Sequence, residues 1–206
     1  MKLPLHNMEV VSPTPENIAR AIDVLRNGGT VVHATETCYG IACDLQNQKA
    51  VENLFMQKER PEDMPVSALF ESIEQAKIYV EWNELADQLA HEHLPGPLTL
   101  VIGMKHESGL FPTPTGGETL GIRIPPHPIA TELVKAFGTP ISTTSANVHS
   151  QPNTYSPEEI LSQFEGRELQ PTLILDSGIL EENDSSSVVD VTGDSIEILR
   201  PGSLNF

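Results

Sequence analysis

The chain is 206 residues long, with 29 acidic and 12 basic side chains and a formal net charge of −17. This length suits one domain with a sizeable core, so we expect a single domain over residues 1–206. Apolar residues make up 38% of the chain and charged residues 20%, which argues against disorder. The acidic excess argues against a broad nucleic-acid-binding surface, because it would repel a phosphate backbone. Any anion site must therefore be a local basic pocket.

The sequence shows no sign of export or membrane insertion. No apolar run approaches membrane-spanning length, and the first twelve residues lack the layout of a secretory signal. We therefore expect a cytoplasmic protein with no membrane partner. Cys38 and Cys43 are too few for a disulfide framework and match no complete metal site. We expect them to be packed or semi-exposed thiols, and we identify no metal-ligating residues.

Strand-like and helix-like segments alternate along the chain. We predict strands over 8–11, 30–34, 65–70, 98–102, 119–124, 140–143, 172–176, 187–191 and 196–199, and helices over 15–25, 49–58, 72–79, 82–91, 129–137 and 157–164. Thr14 and Ser156 are predicted helix N-caps, and Gly28 with Gly29 closes the first helix. The order predicts an α/β fold with an open, twisted mixed sheet and flanking helices. Segments 105–118 and 178–186 are predicted loops, the first of them a mobile loop beside a site.

Several polar clusters fall at predicted strand or helix ends, where open α/β sheets place ligands. They are Thr35–Gly40, Lys58–Pro61, Arg123 within its strand, Ser142–Asn147, Ser185–Ser187 and Arg200–Gly202. Each has an ordinary structural explanation, such as a hydroxyl turn, a cation at a helix C-terminus, or an arginine that points to solvent. Lys58 and Arg60 are two cations one residue apart and followed by proline, which is less ordinary in a chain this acidic. Arg123 lies between apolar strand residues and needs a carboxylate partner if it is buried.

Familiar catalytic motifs are absent from the sequence. There is no phosphate-binding glycine loop, no nucleophile elbow and no zinc-protease helix. His91 and His93 stand at a predicted helix end and are interpreted as surface residues. Candidate residues dominated by Arg, Lys, Ser, Thr and Asn favour substrate positioning and charge stabilisation over an enzyme nucleophile.

Taken in order, the clusters resemble the YrdC-like family, the threonylcarbamoyl-adenylate synthases. The matching segments are Thr35–Ile41, Lys58–Pro61, Pro95–Leu100, Gly121–Pro125, Ser145–Asn147, Ser187–Asp190 and Leu199–Gly202. Each segment is short, but seven in the same order span nearly the whole chain. The resemblance implies a YrdC-like open α/β domain, of the twisted type that binds double-stranded RNA, with a deep electropositive concave surface.

The resemblance also implies an activity and a site. L-Threonine, bicarbonate and ATP, usually with Mg²⁺, would give threonylcarbamoyl-AMP and pyrophosphate for the modification of adenosine 37 in tRNA, so tRNA or tRNA-modification proteins are expected partners. The implied L-threonine-binding residues are Thr37, Arg123, Thr143 and Ser186, and the implied ATP-binding residues are Arg60, Thr119, Ser145, Asn147, Asn153 and Arg200. Lys58 and Arg60 are the expected catalytic cations. We expect both to be exposed to the cleft, so that alanine at either position leaves the fold intact.

Some positions depart from the family pattern. Met64 replaces a Lys or Asn that contacts nucleotide in many members, and Leu69 replaces a polar residue near threonine in some. Ser185 and Ser187 replace a common Glu and Thr. The chain is also expected to lack the extra C-terminal domain of the longer family form. These departures leave two alternatives to the synthase: a paralogue that acts on another small amine or carbamoyl substrate, and a non-catalytic RNA-binding module.

Overall fold

A computed structural model describes residues 8–206 of the chain. The strands are β1 (Glu9–Val11), β2 (Val31–Ala34), β3 (Tyr39–Ala42), β4 (Ser67–Leu69), β5 (Leu98–Gly103), β6 (Thr119–Arg123), β7 (Ile141–Ser145), β8 (Leu173–Leu175), β9 (Ser187–Asp190) and β10 (Glu197–Arg200). The helices are α1 (Pro15–Arg26), α2 (Gln48–Lys58), α3 (Ile73–Tyr79), α4 (Glu84–His93), α5 (Pro128–Phe137) and α6 (Pro157–Phe164).

The strands form one mixed sheet in the order β1-β8-β2-β3-β7-β4-β6-β5-β9-β10. Four neighbouring pairs are parallel, namely β1/β8, β2/β8, β4/β6 and β5/β9. The remaining pairs are antiparallel. This arrangement confirms the predicted α/β class with an open mixed sheet and flanking helices.

One face of the sheet is covered by helices α2, α3, α4 and α6. Their apolar residues join alternate residues of the strands in one large core cluster, which includes Leu54, Leu100, Ile122 and Phe164. Because side chains alternate between the two faces of a strand, the same strands present their intervening residues to the other face.

The second face is only partly covered. Helices α1 and α5 pack against it through a separate core cluster, which includes Leu25, Leu133, Ile141 and Leu173. These two helices lie over the half of the sheet built around β8, β2 and β7. Beyond Leu69 at the end of β4, the strands on the other side of β7 are left without a helix on this face, and this uncovered part carries the cavity described below.

The predicted helix signals are confirmed at both ends of the chain. The Thr14 side chain accepts a hydrogen bond from the backbone of Asn17, and the backbone N–H groups of Gly28 and Gly29 close the last turn of α1. Ser156 caps α6 in the same way. No helix within residues 8–206 is long and apolar enough to cross a membrane.

Strand β3 is the element that the sequence pattern missed. All four of its residues are buried, so it shows no alternation of polar and apolar residues, and it contains Gly40. Its pairing with β2 and β7 carries the polar turn at Thr35–Cys38 into the middle of the sheet rather than to its edge.

Candidate functional site

The uncovered face of the sheet is polar because of the alternation along two central strands. In β5, Leu98, Leu100 and Ile102 join the large core, while Thr99 and Val101 face the other way. In β6, Leu120 and Ile122 are core residues, while Thr119, Gly121 and Arg123 face the other way. The strand pattern therefore places hydroxyls and an arginine on one concave surface.

This surface forms a cavity of about 470 Å³. It is lined by Thr37, Cys38, Arg60, Pro65, Val66, Ser67, Thr99, Val101, Thr119, Gly121, Arg123, Thr143, Thr144, Ser145, Asn153, Ser185, Ser186, Val188, Asp190, Leu199 and Arg200. Segments that are far apart in the chain supply these residues, so the cavity exists only in the folded protein.

Nine of the eleven residues predicted to bind ligands or to act in catalysis line this cavity. They are Thr37, Arg60, Thr119, Arg123, Thr143, Ser145, Asn153, Ser186 and Arg200. The other two, Lys58 and Asn147, lie behind its wall. Segment 105–118 supplies none of the lining residues, so as described it does not border the cavity.

Lys58 is buried, and the expectation that it is exposed to the cleft is wrong. Its side chain is 1% exposed, and Nζ donates hydrogen bonds to the backbone oxygens of Ser145 and Asn147 and to Asn147 Oδ1. Burial, together with the neighbouring charge of Arg60, lowers the pKa of Lys58 to about 7. Lys58 therefore connects the end of α2 to the turn after β7 and does not line the cavity.

The side chain of Asn147 takes part in the same hydrogen-bonded connection between α2 and the turn after β7. It is 7% exposed, and its Oδ1 also accepts a hydrogen bond from Ser145 Oγ at 2.6 Å. Its amide nitrogen donates to the backbone oxygen of Gln151. Asn147 does not line the cavity, whereas Ser145 does.

Arg60 points the opposite way from Lys58 because of the residue between them. Glu59 ends α2 in the left-handed conformation, with φ of 50°, and so reverses the chain. Arg60 then enters the cavity, where Nε donates to the Met64 backbone oxygen at 2.7 Å and Nη2 to that of Pro65 at 2.9 Å.

Three arginines converge on the cavity. Burial lowers the pKa of Arg60, and the charge of Arg200 lowers it further. Burial likewise lowers the pKa of Arg200, and there the charge of Arg123 contributes. The charge of Arg200 thus acts on Arg60, and the charge of Arg123 acts on Arg200, as expected for cations that face one enclosed space. Three of the 12 basic residues of this acidic chain therefore lie around one cavity.

Hydroxyl groups surround the arginines. Ser186 Oγ lies 2.9 Å from Thr99 Oγ1, and Arg200 Nη2 donates to the Ser186 backbone oxygen at 2.8 Å. Asn153 Nδ2 donates to Ser185 Oγ at 3.3 Å. The predicted cluster Ser185–Ser187 is therefore ordered around Arg200 on one wall of the cavity.

Arg123 contacts a carboxylate, which is one of the two alternatives that its position in an apolar strand left open; the other was that it points to solvent. Its Nη2 donates to Glu36 Oε1, and the side chains are 10% and 17% exposed respectively. Glu36 belongs to the polar turn after β2, where Thr35 Oγ1 accepts from the backbone N–H groups of Thr37 and Cys38. The partner of Arg123 in the free protein is thus a residue of this chain.

Three of the four departures from the family pattern do not line the cavity. Leu69 is fully buried in the core under α1 and α5, and Met64 is 42% exposed; neither lines the cavity. Ser187 is buried and exchanges hydrogen bonds with the backbone of Leu204. Of the four, Ser185 alone contributes to the lining.

Residues that the sequence predictions overlooked also face the cavity. Ser67, Thr99, Gly121 and Asp190 were part of strands or motifs but had no assigned role. A methyl group at Gly121 would lie 2.6 Å from Ser67 Oγ, so a larger residue there would force the Ser67 side chain to move on the cavity floor. A polar residue between apolar neighbours, such as Thr99 in β5, was the signal available in the sequence.

The cysteines agree with the predicted packed thiols, since Cys38 and Cys43 are both buried and unbonded to each other. Burial raises the pKa of both thiols, to about 12 for Cys43. Across the part of the chain that the structure describes, no group of three His, Cys, Asp or Glu side chains is placed to hold a metal ion.

Several curated proteins that are similar to this chain share one name. Threonylcarbamoyl-AMP synthase of Pyrococcus abyssi is 35% identical over 187 residues, which is 89% of this chain and 53% of that protein. The Bacillus subtilis protein of the same name is 33% identical over 94% of this chain and 56% of its own length. The chain therefore spans about half the length of these two relatives. It spans 98% of a Vibrio cholerae protein of that name, at 32% identity.

Solved structures show the same architecture. The P. abyssi Sua5 structure complexed with L-threonine matches with a TM-score of 0.85 and 31% identity, over 96% of this chain and 58% of that one. Escherichia coli YciO matches with a TM-score of 0.84 and 25% identity, over 98% of both chains. The family model Sua5_yciO_yrdC, described as telomere recombination, matches residues 23–202. The chain belongs to the Sua5/YciO/YrdC family.

Proposed function

We propose that this protein is a threonylcarbamoyl-AMP synthase, which forms threonylcarbamoyl-AMP and pyrophosphate from L-threonine, bicarbonate and ATP. The observation that carries the proposal is the convergence of Arg60, Arg123 and Arg200 on one hydroxyl-lined cavity. Relatives that carry this enzyme's name, and a related structure solved with L-threonine, support it.

The nucleotide would bind at the end of the cavity that holds Arg60 and Arg200. Among residues 8–206, neither arginine forms an ion pair, so their charge is available to a polyphosphate. Thr119, Ser145 and Asn153 line the same cavity and offer hydrogen-bonding groups to the ribose or phosphates.

The amino acid would bind at the end that holds Arg123. Its Nη1 makes no hydrogen bond to the residues that the structure describes, so it is free to pair with a substrate carboxylate. The hydroxyls of Thr37, Thr143 and Ser186 line the cavity and suit the amine and hydroxyl of threonine.

The chemistry then needs positioning and charge stabilisation rather than an enzyme nucleophile. The threonine amine attacks the carbon of bicarbonate to give a carbamate with loss of water. A carbamate oxygen attacks the α-phosphorus of ATP, and pyrophosphate leaves. Arg60 and Arg200 are placed to stabilise the negative charge that grows on the phosphoryl oxygens and on pyrophosphate.

Magnesium fits this scheme as an ion that arrives with the nucleotide. Asp190 is the carboxylate among the cavity-lining residues, and its Oδ1 accepts hydrogen bonds from the backbone and hydroxyl of Thr192. One carboxylate together with substrate phosphates is an ordinary environment for Mg²⁺. The bound ion would add to the neutralisation of phosphate charge.

The product would serve the threonylcarbamoylation of adenosine 37 in tRNA. With a net charge of −17, the chain itself is poorly suited to hold a tRNA backbone. We therefore propose that the product passes to other tRNA-modification proteins.

The test is product formation by the purified chain. Incubation with ATP, Mg²⁺, labelled bicarbonate and L-threonine is expected to give labelled threonylcarbamoyl-AMP by mass spectrometry, with one pyrophosphate for each product. Omission of threonine or bicarbonate should stop both. Pyrophosphate release that does not depend on threonine would exclude this function. Salt-sensitive tRNA binding without ATP turnover would instead indicate an RNA-binding module.

A further inference from the structure

The three cavity arginines differ in their counter-ions. Arg123 lines the cavity and is paired with Glu36, which is not a lining residue, and both side chains are mostly buried. Arg60 and Arg200 instead donate to backbone oxygens and, for Arg200, to the Ser186 hydroxyl. In residues 8–206 no carboxylate lies within ion-pair distance of either. One end of the cavity is therefore cationic, whereas the other holds a charge pair with no net charge.

The histidines near the pair add little positive charge to it. Burial lowers the pKa of His33 to about 4, and burial also lowers the pKa of His127. Both imidazoles are consequently neutral near pH 7. Glu36 Oε2 is buried and has no hydrogen-bond partner in the described chain, so the carboxylate charge is not dispersed over other donors.

Glu36 is also held in place from both sides. Its neighbours form a hydrogen-bonded turn around Thr35 Oγ1, which includes a 2.7 Å bond to the Cys38 backbone oxygen. The backbone oxygen of Glu36 accepts from Asn183 Nδ2 at 3.1 Å. Because this backbone is fixed, a ligand carboxylate is expected to bind Arg123 beside Glu36 rather than to displace it.

We propose that Glu36 is a specificity-determining residue: by neutralising Arg123, it makes this end of the cavity select zwitterionic amino acids over simple anions. The proposal rests on the function proposed above and names a residue that sets its substrate class. A zwitterion brings no net charge: its carboxylate can contact Arg123, and its ammonium offsets the repulsion from Glu36, which lies behind the cavity lining. A simple carboxylate or a phosphate brings a net negative charge. Arg123 does not offset this charge fully, because Glu36 already neutralises Arg123, and Glu36 also repels the ligand.

The experiment compares two ligands that differ only in the amine. L-Threonine and 3-hydroxybutyrate, its analogue without the amino group, are titrated into the protein by calorimetry in the presence of ATP. The wild type is expected to prefer threonine. Glu36→Gln should shift the ratio of the two affinities toward 3-hydroxybutyrate by about tenfold or more, since one full charge is removed beside the ligand. Glu36→Asp keeps the charge and should keep the preference.

A matched control removes a charge from the neighbouring segment. Glu182 is exposed and lies in segment 178–186, so Glu182→Gln should leave the affinity ratio unchanged. Thermal unfolding of each variant shows whether it is folded. An unchanged ratio in folded Glu36→Gln, or equal loss of both ligands, overturns the proposal. If the wild type binds no threonine, the proposed function fails, and the charge proposal then depends on whether Glu36→Gln gains affinity for 3-hydroxybutyrate.

Discussion

Lys58 Nζ lies 2.6 Å from the backbone oxygen of Asn147 and 3.1 Å from its side-chain oxygen Oδ1. These contacts fasten the last residue of α2 to the turn after β7, across 89 positions of the chain. Ser145, two residues before Asn147, lines the cavity. Lys58 thus acts on the site through the turn, as a positioning residue.

Replacing Lys58 by alanine is expected to destabilise the protein. The change leaves a cavity where the aliphatic stem packs, and it removes the donors from three buried oxygens. Such losses cost about 2–4 kcal/mol together. Denaturant unfolding of Lys58→Ala measures this directly, and turnover should fall as the turn at Ser145 loosens.

Lys49 offers a matched control on the same helix. It is exposed, so Lys49→Ala should change the free energy of unfolding by no more than about 0.5 kcal/mol. Equal stability of the two variants would show that the contacts of Lys58 contribute nothing to the free energy of unfolding. It would favour the catalytic role that the sequence led us to expect for Lys58.

The low pKa of Lys58 predicts how stability depends on pH. Its pKa is about 7 in the folded chain, against about 10.4 for an exposed lysine. Between these values the unfolded chain binds the extra proton, so this group makes stability rise with pH by up to about 1.4 kcal/mol per unit. Urea midpoints of wild type and Lys58→Met at pH 7, 8 and 9 isolate the effect. The difference between them should grow with pH in favour of the wild type.

The fold was predictable where local sequence decides structure. Helix α1 has a capping threonine, an apolar stripe and a closing glycine pair, and all three signals act within a few residues. Strand β3 could not be predicted, because its four residues are buried on both faces and owe their conformation to β2 and β7. Its stability comes from partners that are distant in the sequence.

The site was predictable as a set of residues but not in its contacts. Polar clusters at strand ends indicated Arg60, Arg123 and Arg200, and all three line the cavity. The burial of Lys58 depends on oxygens 87 and 89 positions away, and the Glu36 contact of Arg123 spans 87 positions. No local pattern encodes such pairings, so Lys58 was wrongly expected in the cleft.

Arg60 and Arg200 are predicted to bind the nucleotide, and the loss of Arg60 is expected to have little effect on threonine, whereas Arg200 also orders Ser186. Arg200→Ala removes a charge from the cationic end and should weaken ATP affinity by about 10–100-fold, the effect of losing one charged hydrogen bond. Arg60→Ala should do the same. Calorimetric titration of each variant with ATP, and separately with L-threonine, measures both effects.

Arg20 serves as the control for these substitutions. It forms an exposed ion pair with Glu9 and is remote from the cavity lining, so Arg20→Ala should leave ATP affinity unchanged. A comparable loss of threonine and ATP affinity in Arg60→Ala, whose hydrogen bonds go to the backbone oxygens of Met64 and Pro65, would contradict the division of the cavity into a cationic and a neutral end.

Gly202 is predicted to be required for the placement of Arg200. A methyl group at Gly202 would overlap the backbone oxygen of Ser185 and lie 2.5 Å from the backbone nitrogen of Ser187. Because backbone atoms cannot rotate away, Gly202→Ala should push the C-terminal segment off the cavity wall, at a cost of about 1–3 kcal/mol, and weaken ATP binding. Gly193 has no atom near its methyl position, so Gly193→Ala should be neutral in thermal unfolding and in ATP titration. Wild-type ATP affinity in Gly202→Ala would show that this close packing does not position Arg200.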